Sequence, residues 1–158
     1  MRVFVTGATG FIGQRLVNAL RVRGHDVTAL VRQIDAAPAR ALASSGVKLA
    51  QGDVTDRAAL REAIRGMEAV IHNAGMYEFG LGSRGRARMT EVNVHGTANV
   101  LGIARELGVS RTVYVSTAFA FGDTGGRTRD ETWVRCSAPQ SHYEATKTEA
   151  HEIALAQQ

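Results

Sequence analysis

Tyr143 and Lys147, four positions apart in this 158-residue sequence, have the residue types and the spacing for acid–base chemistry. On a helix, residues i and i+4 share a face, so the phenol and the ammonium would project together. An ammonium close to a phenol favours the phenolate, and a general acid/base that acts on a carbonyl or an alcohol needs such a group. The same spacing is common on surface helices, so the pair needs support from the rest of the sequence.

Ser116 and Thr117 form a second candidate because they stand at the carboxyl end of a predicted strand, residues 112–116. In an open parallel sheet, ligands bind beyond the carboxyl ends of the strands. A hydroxyl at that position can donate a hydrogen bond to a substrate oxygen. In the alternative interpretation, the side chain caps the loop that follows the strand.

A glycine-rich turn near the N-terminus predicts a phosphate site. The apolar run 3–5 ends at Gly7, and helical periodicity begins near Gly13, with Gly10 between them. Gly7 would permit a sharp turn, Gly10 would let the backbone approach a pyrophosphate, and Gly13 would let the helix pack against the sheet. Ordinary strand-to-helix turns also collect glycine, but this position after an N-terminal strand favours nucleotide binding.

The end of the second predicted strand bears on the choice between NAD and NADP. NAD-binding proteins normally place an acidic residue there to hold the ribose diol. This sequence has Arg32 followed by Gln33, and no acid before Asp35. Because the planar guanidinium of Arg32 can pair with a 2′-phosphate, NADP is favoured over NAD.

Strands and helices alternate along the whole sequence. The strands have continuous apolar runs, which predicts a parallel sheet covered on both faces. Right-handed connections then give a doubly wound α/β (Rossmann) fold with strand order 3-2-1-4-5. The predicted strands are 3–5, 27–31, 47–51, 69–72 and 112–116, and the later helices are 36–45, 55–66, 88–107 and 141 onward, with surface loops at 76–88 and 122–140.

Local signals predict where several of these elements begin and end. Gly24 is placed to stop the first helix, Thr55 to cap the third, and Ser141 to begin the last within a capping box. Gly96, inside a predicted helix, costs about 1 kcal/mol relative to alanine. We therefore expect close approach of another backbone at Gly96.

Composition limits the classes of partner. The net charge of +4 suits an anionic cofactor and is too diffuse for a nucleic-acid site. No stretch reaches the roughly 18 apolar residues of a membrane span, and Thr6 and its neighbouring glycines break up any signal-peptide core. The only cysteine is Cys136, which fits a reducing compartment. We expect a cytoplasmic protein with no metal site and no nucleic-acid or membrane partner.

These motifs together resemble the N-terminal part of an extended short-chain dehydrogenase/reductase, the group of nucleotide-sugar epimerases, dehydratases and dihydroflavonol reductases. The matching segments are 6–13, 52–56, 70–75, 93–99, 113–117, 121–122 and 143–147. They run nearly end to end in the family's order, so the resemblance is specific to the superfamily and not to a substrate. It implies an NAD(P)-dependent oxidoreductase or epimerase/dehydratase that acts by hydride transfer on a small-molecule carbonyl, an alcohol or a nucleotide sugar.

The resemblance also implies roles for the catalytic candidates. Tyr143 would be the general acid/base, and Lys147 would stabilise its phenolate and bind the nicotinamide ribose. Thr117 matches the family's catalytic serine or threonine, and its neighbour Ser116 is the less favoured candidate. Asn93 matches an asparagine that holds a water relay in some members, or it is a structural residue that kinks a helix.

Further positions would contact the cofactor. Asp53 would accept a hydrogen bond from the adenine amino group beside Val54, and small residues at Ala74 and Gly75 would let the backbone pass the nicotinamide ribose. His72 lies within the fourth strand and is expected to be structural. The cofactor-binding residues implied by the resemblance are Gly7, Thr9, Gly10, Phe11, Ile12, Gly13, Arg32, Asp53, Val54, Asn73, Ala74, Gly75, Tyr143 and Lys147.

Members of this group usually run to about twice this length. We therefore expect residues 1–158 to be a dinucleotide-binding domain that is truncated before the substrate-binding domain. Such a chain should bind the adenine half of the cofactor better than the nicotinamide half, and turn over poorly. Helices at 88–107 and 141–158 are expected to pair in a homodimer. The alternative function is a non-catalytic dinucleotide-binding or sensing module, or an inactive fragment.

Overall fold

Five short strands form one parallel sheet in the order β3-β2-β1-β4-β5 in the computed structural model, which describes residues 1–157. The strands are β1 (Arg2–Thr6), β2 (Asp26–Val31), β3 (Lys48–Gln51), β4 (Ala69–His72) and β5 (Arg111–Tyr114). The residues that follow Thr6, Val31, Gln51, His72 and Tyr114 therefore lie along one side, the carboxyl edge of the sheet. The predicted strand order is confirmed.

Helices cover both faces of this sheet. They are α1 (Phe11–Val22), α2 (Ala37–Ser44), α3 (Arg57–Ile64), α4 (Ser83–Thr90), α5 (Gly96–Glu106) and α6 (His142–Leu155). A π-helical turn, Glu91–His95, joins α4 to α5, and a 3₁₀ turn, Ala118–Phe121, follows β5. No helix in the part of the chain that the structure describes is long and apolar enough to cross a membrane.

The apolar strand residues divide between two cores, one on each face of the sheet. Phe4 packs with residues of α3 and α5, whereas its neighbours Val3 and Val5 pack with residues of α1 and α2. All three side chains are buried. Because both faces are covered, the strands are continuous apolar runs. This is the predicted doubly wound Rossmann arrangement.

The helix before β5 begins earlier than predicted. We expected a loop up to residue 88, but α4 begins at Ser83. The intervening residues are mostly arginine, glycine and serine, so no apolar periodicity marks them as helical. A tertiary contact holds α4 instead, since His142 Nε2 lies 2.8 Å from Arg86 O and 3.1 Å from Thr90 Oγ1.

The predicted cap of α3 is wrong by one residue. The carboxylate of Asp56, and not the hydroxyl of Thr55, accepts hydrogen bonds from Ala58 N at 3.0 Å and Ala59 N at 3.1 Å. Thr55 instead donates through its N–H and its hydroxyl to Asp53. Both residue types are good N-caps, so the sequence alone does not distinguish them.

Other local predictions have mixed outcomes. Gly24 ends α1 with a φ of +76°, and Ser141 caps α6 by accepting from Glu144 N at 3.1 Å. Gly96 is close to a side chain and not to the expected backbone, because a Cβ there would lie 2.6 Å from Val54 Cγ2. Gly96 therefore allows α5 to pack on the segment that follows β3.

Arg135 fixes the long loop 122–140 against α6. Its guanidinium donates to Phe119 O at 2.7 Å and to Thr148 Oγ1 at 3.2 Å. It also pairs with Glu144, and both side chains are about nine-tenths buried. The Arg135 hydrogen bond is the main cause that lowers the pKa of Glu144. These contacts order the loop beside the helix that carries Tyr143.

His72 joins three elements inside the protein, as its predicted structural role requires. Its Nδ1 lies 2.7 Å from Thr6 Oγ1, and its Nε2 lies 3.0 Å from Thr97 Oγ1. Burial, with a smaller effect of Lys147, lowers the pKa of His72 to about 3. The imidazole therefore stays neutral at physiological pH and links β1, β4 and α5.

We expect His72→Leu to lower the free energy of unfolding at pH 7.5 by about 2–4 kcal/mol, because the buried hydroxyls of Thr6 and Thr97 each lose one of their hydrogen-bond partners. In the native protein, stability should also fall as pH drops from 6.5 towards 3, since the unfolded chain binds a proton there that the folded chain excludes. Urea denaturation across this range checks both effects. His95→Leu, at an exposed position, is the control, and an equally steep pH dependence in His72→Leu would contradict the account.

Candidate active site

The glycine turn after β1 presents unpaired backbone N–H groups at the start of α1. Gly10 is the N-cap, and Gln14 is the first residue whose N–H bonds within the helix, to Gly10 O at 3.0 Å. The N–H groups of the first turn are therefore available for an anion. The side chain of Phe11 is 83% exposed and that of Ile12 is 58% exposed, so the mouth of the turn is open.

Glycine is needed for different reasons at the three glycine positions of the turn. Gly7 has a φ of +69°, and a Cβ there would lie 2.8 Å from Ala74 N. A Cβ on Gly13 would overlap Gly7 O. Gly10 has an ordinary φ of −79°, and its nearest neighbour would be 3.3 Å from a Cβ. The fold therefore requires Gly7 and Gly13, whereas glycine at 10 fits a ligand that approaches the backbone.

Arg32 lies directly after β2 at the same edge. Its side chain is exposed, and it forms no ion pair within residues 1–157. The pairing of Val31 with Gln51, and the bond from Gly52 N to Val31 O at 2.9 Å, place Arg32 beside the segment that carries Asp53. A cation is therefore free at the position that usually contacts the adenosine ribose.

Asp53 is held by protein groups on both oxygens. Thr55 donates to Oδ1 through its N–H at 3.0 Å and its hydroxyl at 2.9 Å, and Arg88 donates to Oδ2 at 2.5 Å. Partial burial alone would raise the pKa of Asp53, but the bonds from Thr55 and Arg88 outweigh it and lower the pKa. An adenine amino group would therefore share this carboxylate with Arg88. The side chain of Val54 belongs to the core, so only its backbone is offered to a ligand.

The segment after β4 passes directly beside the glycine turn. Thr6 Oγ1 accepts from Asn73 N at 3.2 Å and from Ala74 N at 3.0 Å, and Asn73 Nδ2 donates to Gly7 O at 3.3 Å. A Cβ on Gly75 would make only an ordinary contact at 3.6 Å. The structure thus brings these predicted cofactor residues together, with Thr9 and the first turn of α1 on the other side of Gly7.

Tyr143 is half-buried in the first turn of α6 and faces other aromatic rings. Its ring centroid lies 4.6 Å from that of Tyr77 and 6.2 Å from that of Phe119, with edge-to-face geometry in both pairs. These rings come from the segments after β4 and β5, at the carboxyl edge. The phenol is thus placed beside the segments that form a substrate site in an open α/β sheet.

Lys147 is buried and bonds to Tyr114. Its Nζ donates to Tyr114 Oη at 2.7 Å and to Val115 O at 3.1 Å, which uses two of its three N–H groups. Desolvation lowers the pKa of Lys147 to about 8, and burial raises the pKa of Tyr114 to about 12. The predicted effect of Lys147 on the phenol of Tyr143, its neighbour on the same helix, stays a prediction; the hydrogen bond of Lys147 to a tyrosine goes to Tyr114.

We expect Lys147 to titrate with a midpoint near pH 8, because the buried ammonium is poorly solvated. The chain has two lysines, so ¹³C-lysine labelling gives two Cε signals, and Lys147→Arg assigns them. In Tyr114→Phe the ammonium loses an acceptor, and the midpoint should fall further. An unchanged midpoint in Tyr114→Phe would show that Tyr114 does not position the amine.

Asn93 is buried in the π-helical turn and fully engaged. Its Oδ1 accepts from Met76 N at 2.7 Å, and its Nδ2 donates to Met76 O and to Thr146 Oγ1, both at 3.0 Å. Each N–H of the amide therefore already has a protein partner. These contacts fit the structural alternative for Asn93 better than a water relay to Lys147.

Ser116 and Thr117 point to different partners. Ser116 Oγ lies 2.9 Å from His151 Nδ1, and both residues line a cleft of about 430 Å³ between α5, β5 and α6. Thr117 Oγ1 accepts from Phe119 N at 3.3 Å and caps the 3₁₀ turn. Neither the turn at Gly7 nor Tyr143 lines that cleft. Of the two hydroxyls, only that of Thr117 lies on the segment that also brings Phe119 to Tyr143.

Two residues of this region were not singled out from the sequence. Tyr114 precedes Ser116 by two positions in an extended segment, so the period of two does place both on one face. Arg88 stood only at the boundary between the predicted loop 76–88 and the predicted helix 88–107. Its contact with Asp53 spans 35 positions, and no local pattern encodes it.

The parallel sheet, its strand order and the glycine turn at its carboxyl edge define a Rossmann-type dinucleotide-binding fold. The profile of the NAD dependent epimerase/dehydratase family matches residues 3–158, and the chain belongs to this family of NAD-dependent enzymes.

Curated relatives have dehydrogenase and related names. Sterol demethylase protein B of Methylococcus capsulatus is 38% identical over 158 residues, which cover 98% of this chain and 47% of that protein. A 3 beta-hydroxysteroid dehydrogenase/Delta 5→4-isomerase of Mycobacterium tuberculosis is 35% identical over 161 residues. The match covers 99% of this chain and 42% of that protein. The chain thus spans about half the length of the curated relatives that it matches.

Solved structures show the same fold with NAD bound. A short-chain dehydrogenase/reductase superfamily protein from Agrobacterium tumefaciens with bound NAD has 30% identity and a TM-score of 0.78, covering 98% of this chain and 44% of that chain. The UDP-glucose 4-epimerase of Thermus thermophilus in complex with NAD has 32% identity and a TM-score of 0.80. The match covers 99% of this chain and 50% of that chain.

Proposed function

We propose that this protein is an NADP-dependent oxidoreductase or epimerase/dehydratase that acts on a carbonyl or a secondary alcohol by hydride transfer. The observation that carries the proposal is the placement of three features along the carboxyl edge of the sheet: the open first turn of α1, the unpaired cation of Arg32 and the half-buried phenol of Tyr143. The names of the relatives support this class of chemistry. Their substrates differ, so a small-molecule carbonyl, an alcohol or a nucleotide sugar all fit at this level.

Three residues of the chain would have separate roles in such a reaction. Tyr143 would give a proton to the substrate oxygen during reduction and take it back during oxidation. Lys147 would stabilise the phenolate with its third N–H directed to the site. Thr117, whose hydroxyl oxygen accepts from Phe119 N, would donate its hydroxyl hydrogen to the substrate oxygen. The nicotinamide, when bound, supplies or accepts the hydride.

The preference for NADP rests on Arg32. A 2′-phosphate gains a charge-assisted bond from a free guanidinium, and no acidic side chain follows β2 to hold a ribose diol. NAD is the cofactor of the family and of the bound neighbours, so NADP preference is the part of the proposal that belongs to this chain.

A non-catalytic dinucleotide-binding module is the second candidate, and two contacts favour it. Lys147 bonds to Tyr114, and the Thr117 hydroxyl caps a turn. In such a module these side chains would hold the fold and would not contact the nicotinamide.

Replacement of Lys147 separates the two functions. If the redox site is correct, Lys147→Met should weaken NADPH binding by about tenfold or more, because one bond from a charged group is lost. Binding of adenosine 2′,5′-bisphosphate, which has no nicotinamide, should not change. Calorimetry gives both affinities, and Lys48→Met, at the other lysine, is the control. Equal affinities of native protein and Lys147→Met for NADPH would favour the non-catalytic module.

A homodimer and a cytoplasmic location complete the proposal. The helices expected to pair correspond to α4–α5 and α6, which lie side by side on one face of the sheet. The single cysteine fits a reducing compartment. Light scattering over a wide concentration range tests the dimer, and a monomer throughout would contradict it.

A further inference from the structure

An aromatic cluster of Tyr77, Phe79, Phe119 and Tyr143 stands at the carboxyl edge of the sheet. Tyr77 contacts Phe79 with ring centroids 5.1 Å apart and Tyr143 with centroids 4.6 Å apart, and Phe119 approaches Tyr143 from the other side at 6.2 Å. The rings meet nearly at right angles, the geometry that aromatic pairs prefer. Two chain segments far apart in sequence therefore build one aromatic surface around the proposed acid/base.

This aromatic cluster is unusually exposed for its size. Tyr77 is 63% exposed, Phe79 is 61% exposed and Phe119 is 53% exposed. Contiguous exposed apolar surface on a folded chain marks a binding site, and ligand pockets are lined mainly by apolar and aromatic side chains with a few polar groups. The phenolic hydroxyls of Tyr77 and Tyr143 are the polar groups of the cluster.

The charge around the cluster indicates which ligand fits. Residues 73–82 and 117–122, which carry the three exposed rings, contain one charged side chain, that of Glu78. These two segments themselves hold no lysine or arginine that could bind a diphosphate. In α4, which follows the first segment, Arg88 is already paired with Asp53, whereas Arg84 and Arg86 are exposed.

We propose that the aromatic cluster is the substrate subsite and that it binds an uncharged, apolar ring ketone or ring alcohol, with Tyr77, Phe79 and Phe119 against the ring faces and Tyr143 at the oxygen. This inference rests on the proposed function, whose substrate it narrows. It ranks a nucleotide sugar below such a ring as the preferred substrate, because the exposed side chains of these segments are apolar faces and the segments themselves hold no cation.

Binding of two probes to this chain tests the subsite. 2-Decalone, an apolar bicyclic ketone, and UDP-glucose are titrated separately, with and without saturating NADP, by equilibrium dialysis. We expect saturable binding of 2-decalone and at least about tenfold weaker binding of UDP-glucose. Phe79→Ala should lower the affinity for 2-decalone by about tenfold through the loss of apolar contact. Phe79→Tyr should retain most of this affinity.

Val134→Ala removes an apolar side chain that is 79% exposed outside the cluster and should leave ketone binding unchanged. Tighter binding of UDP-glucose, no ketone binding in either condition, or full ketone affinity in both Phe79→Ala and Phe119→Ala would overturn the inference. NADP binding is measured in the same samples. If NADP binds normally while the ketone does not, the proposed function stands and only the aromatic subsite is lost.

Discussion

Gly13→Ala is expected to lower the free energy of unfolding by about 3 kcal/mol or more, because the added methyl group overpacks rigid backbone. Its Cβ would overlap Gly7 O and lie 2.7 Å from Ala8 Cα. Neither neighbour is a flexible side chain that could move away. Urea denaturation followed by circular dichroism measures the loss, and an insoluble or unfolded variant would be its extreme form.

Gly102→Ala is the matched control for this substitution. Gly102 lies in α5, and a Cβ there meets nothing within 4 Å. We expect this variant to gain about 0.5–1 kcal/mol from the better helix propensity of alanine. Equal stabilities of Gly13→Ala and Gly102→Ala would contradict the close packing of α1 on the glycine turn.

Gly10→Ala should separate folding from binding at the same turn. Its backbone conformation is open to alanine, and the Cβ would lie 3.3 Å from Gly7 O, a tight contact that needs a small shift and not the overlap found at Gly13. The variant should therefore lose much less stability than Gly13→Ala, while its methyl group stands where a pyrophosphate would rest. Loss of dinucleotide affinity without a comparable loss of stability is the result that assigns Gly10 to a ligand.

Arg32→Glu is expected to reverse the cofactor preference. The variant loses a charge-assisted bond to the 2′-phosphate and adds a repulsive carboxylate, so NADP affinity should fall by about 100-fold. NAD affinity should stay the same or rise, since a carboxylate after β2 can hold the ribose diol. Calorimetry with both dinucleotides gives the two ratios.

Arg111→Glu controls for the change in net charge. Arg111 is the first residue of β5, at the opposite edge of the sheet from the glycine turn, and it is exposed. This variant should lower the affinity for NADP only slightly, because a distant charge acts only through the electrostatic field, which salt screens. If both variants lose NADP affinity equally, Arg32 does not contact the 2′-phosphate.

The order of the sheet was predictable because each strand has a local signal. Continuous apolar runs such as 27–31 mark the strands, and glycines mark the turns between elements. Both signals depend only on residues that are neighbours in sequence. The glycine turn belongs to the same class, since Gly7, Gly10 and Gly13 lie within seven positions. Local pattern therefore accounts for the fold and for the place of the glycine turn at the carboxyl edge, while its role in cofactor binding stays a prediction.

The surroundings of Tyr143 and Lys147 were predictable only in part. The helix that carries Tyr143 and Lys147 has a clear cap at Ser141, so the shared helix was correct. The hydrogen bond from Lys147 to Tyr114 was not foreseen, because it joins a helix to a strand 33 positions away. The start of α4 was missed for the same reason, since His142 fixes it from 56 positions away.

Backbone amide NMR of the ¹⁵N-labelled chain during addition of NADP tests the central claim most directly. The account predicts saturable shifts in three places that are separate in sequence: the first turn of α1 from Phe11 to Gly13, the segment from Asn73 to Gly75, and the start of α6 at Tyr143. Gly10→Ala should abolish all three together. Shifts confined to the cleft that Ser116 and His151 line, or no shifts at millimolar NADP, would contradict the assignment of this edge as the dinucleotide site.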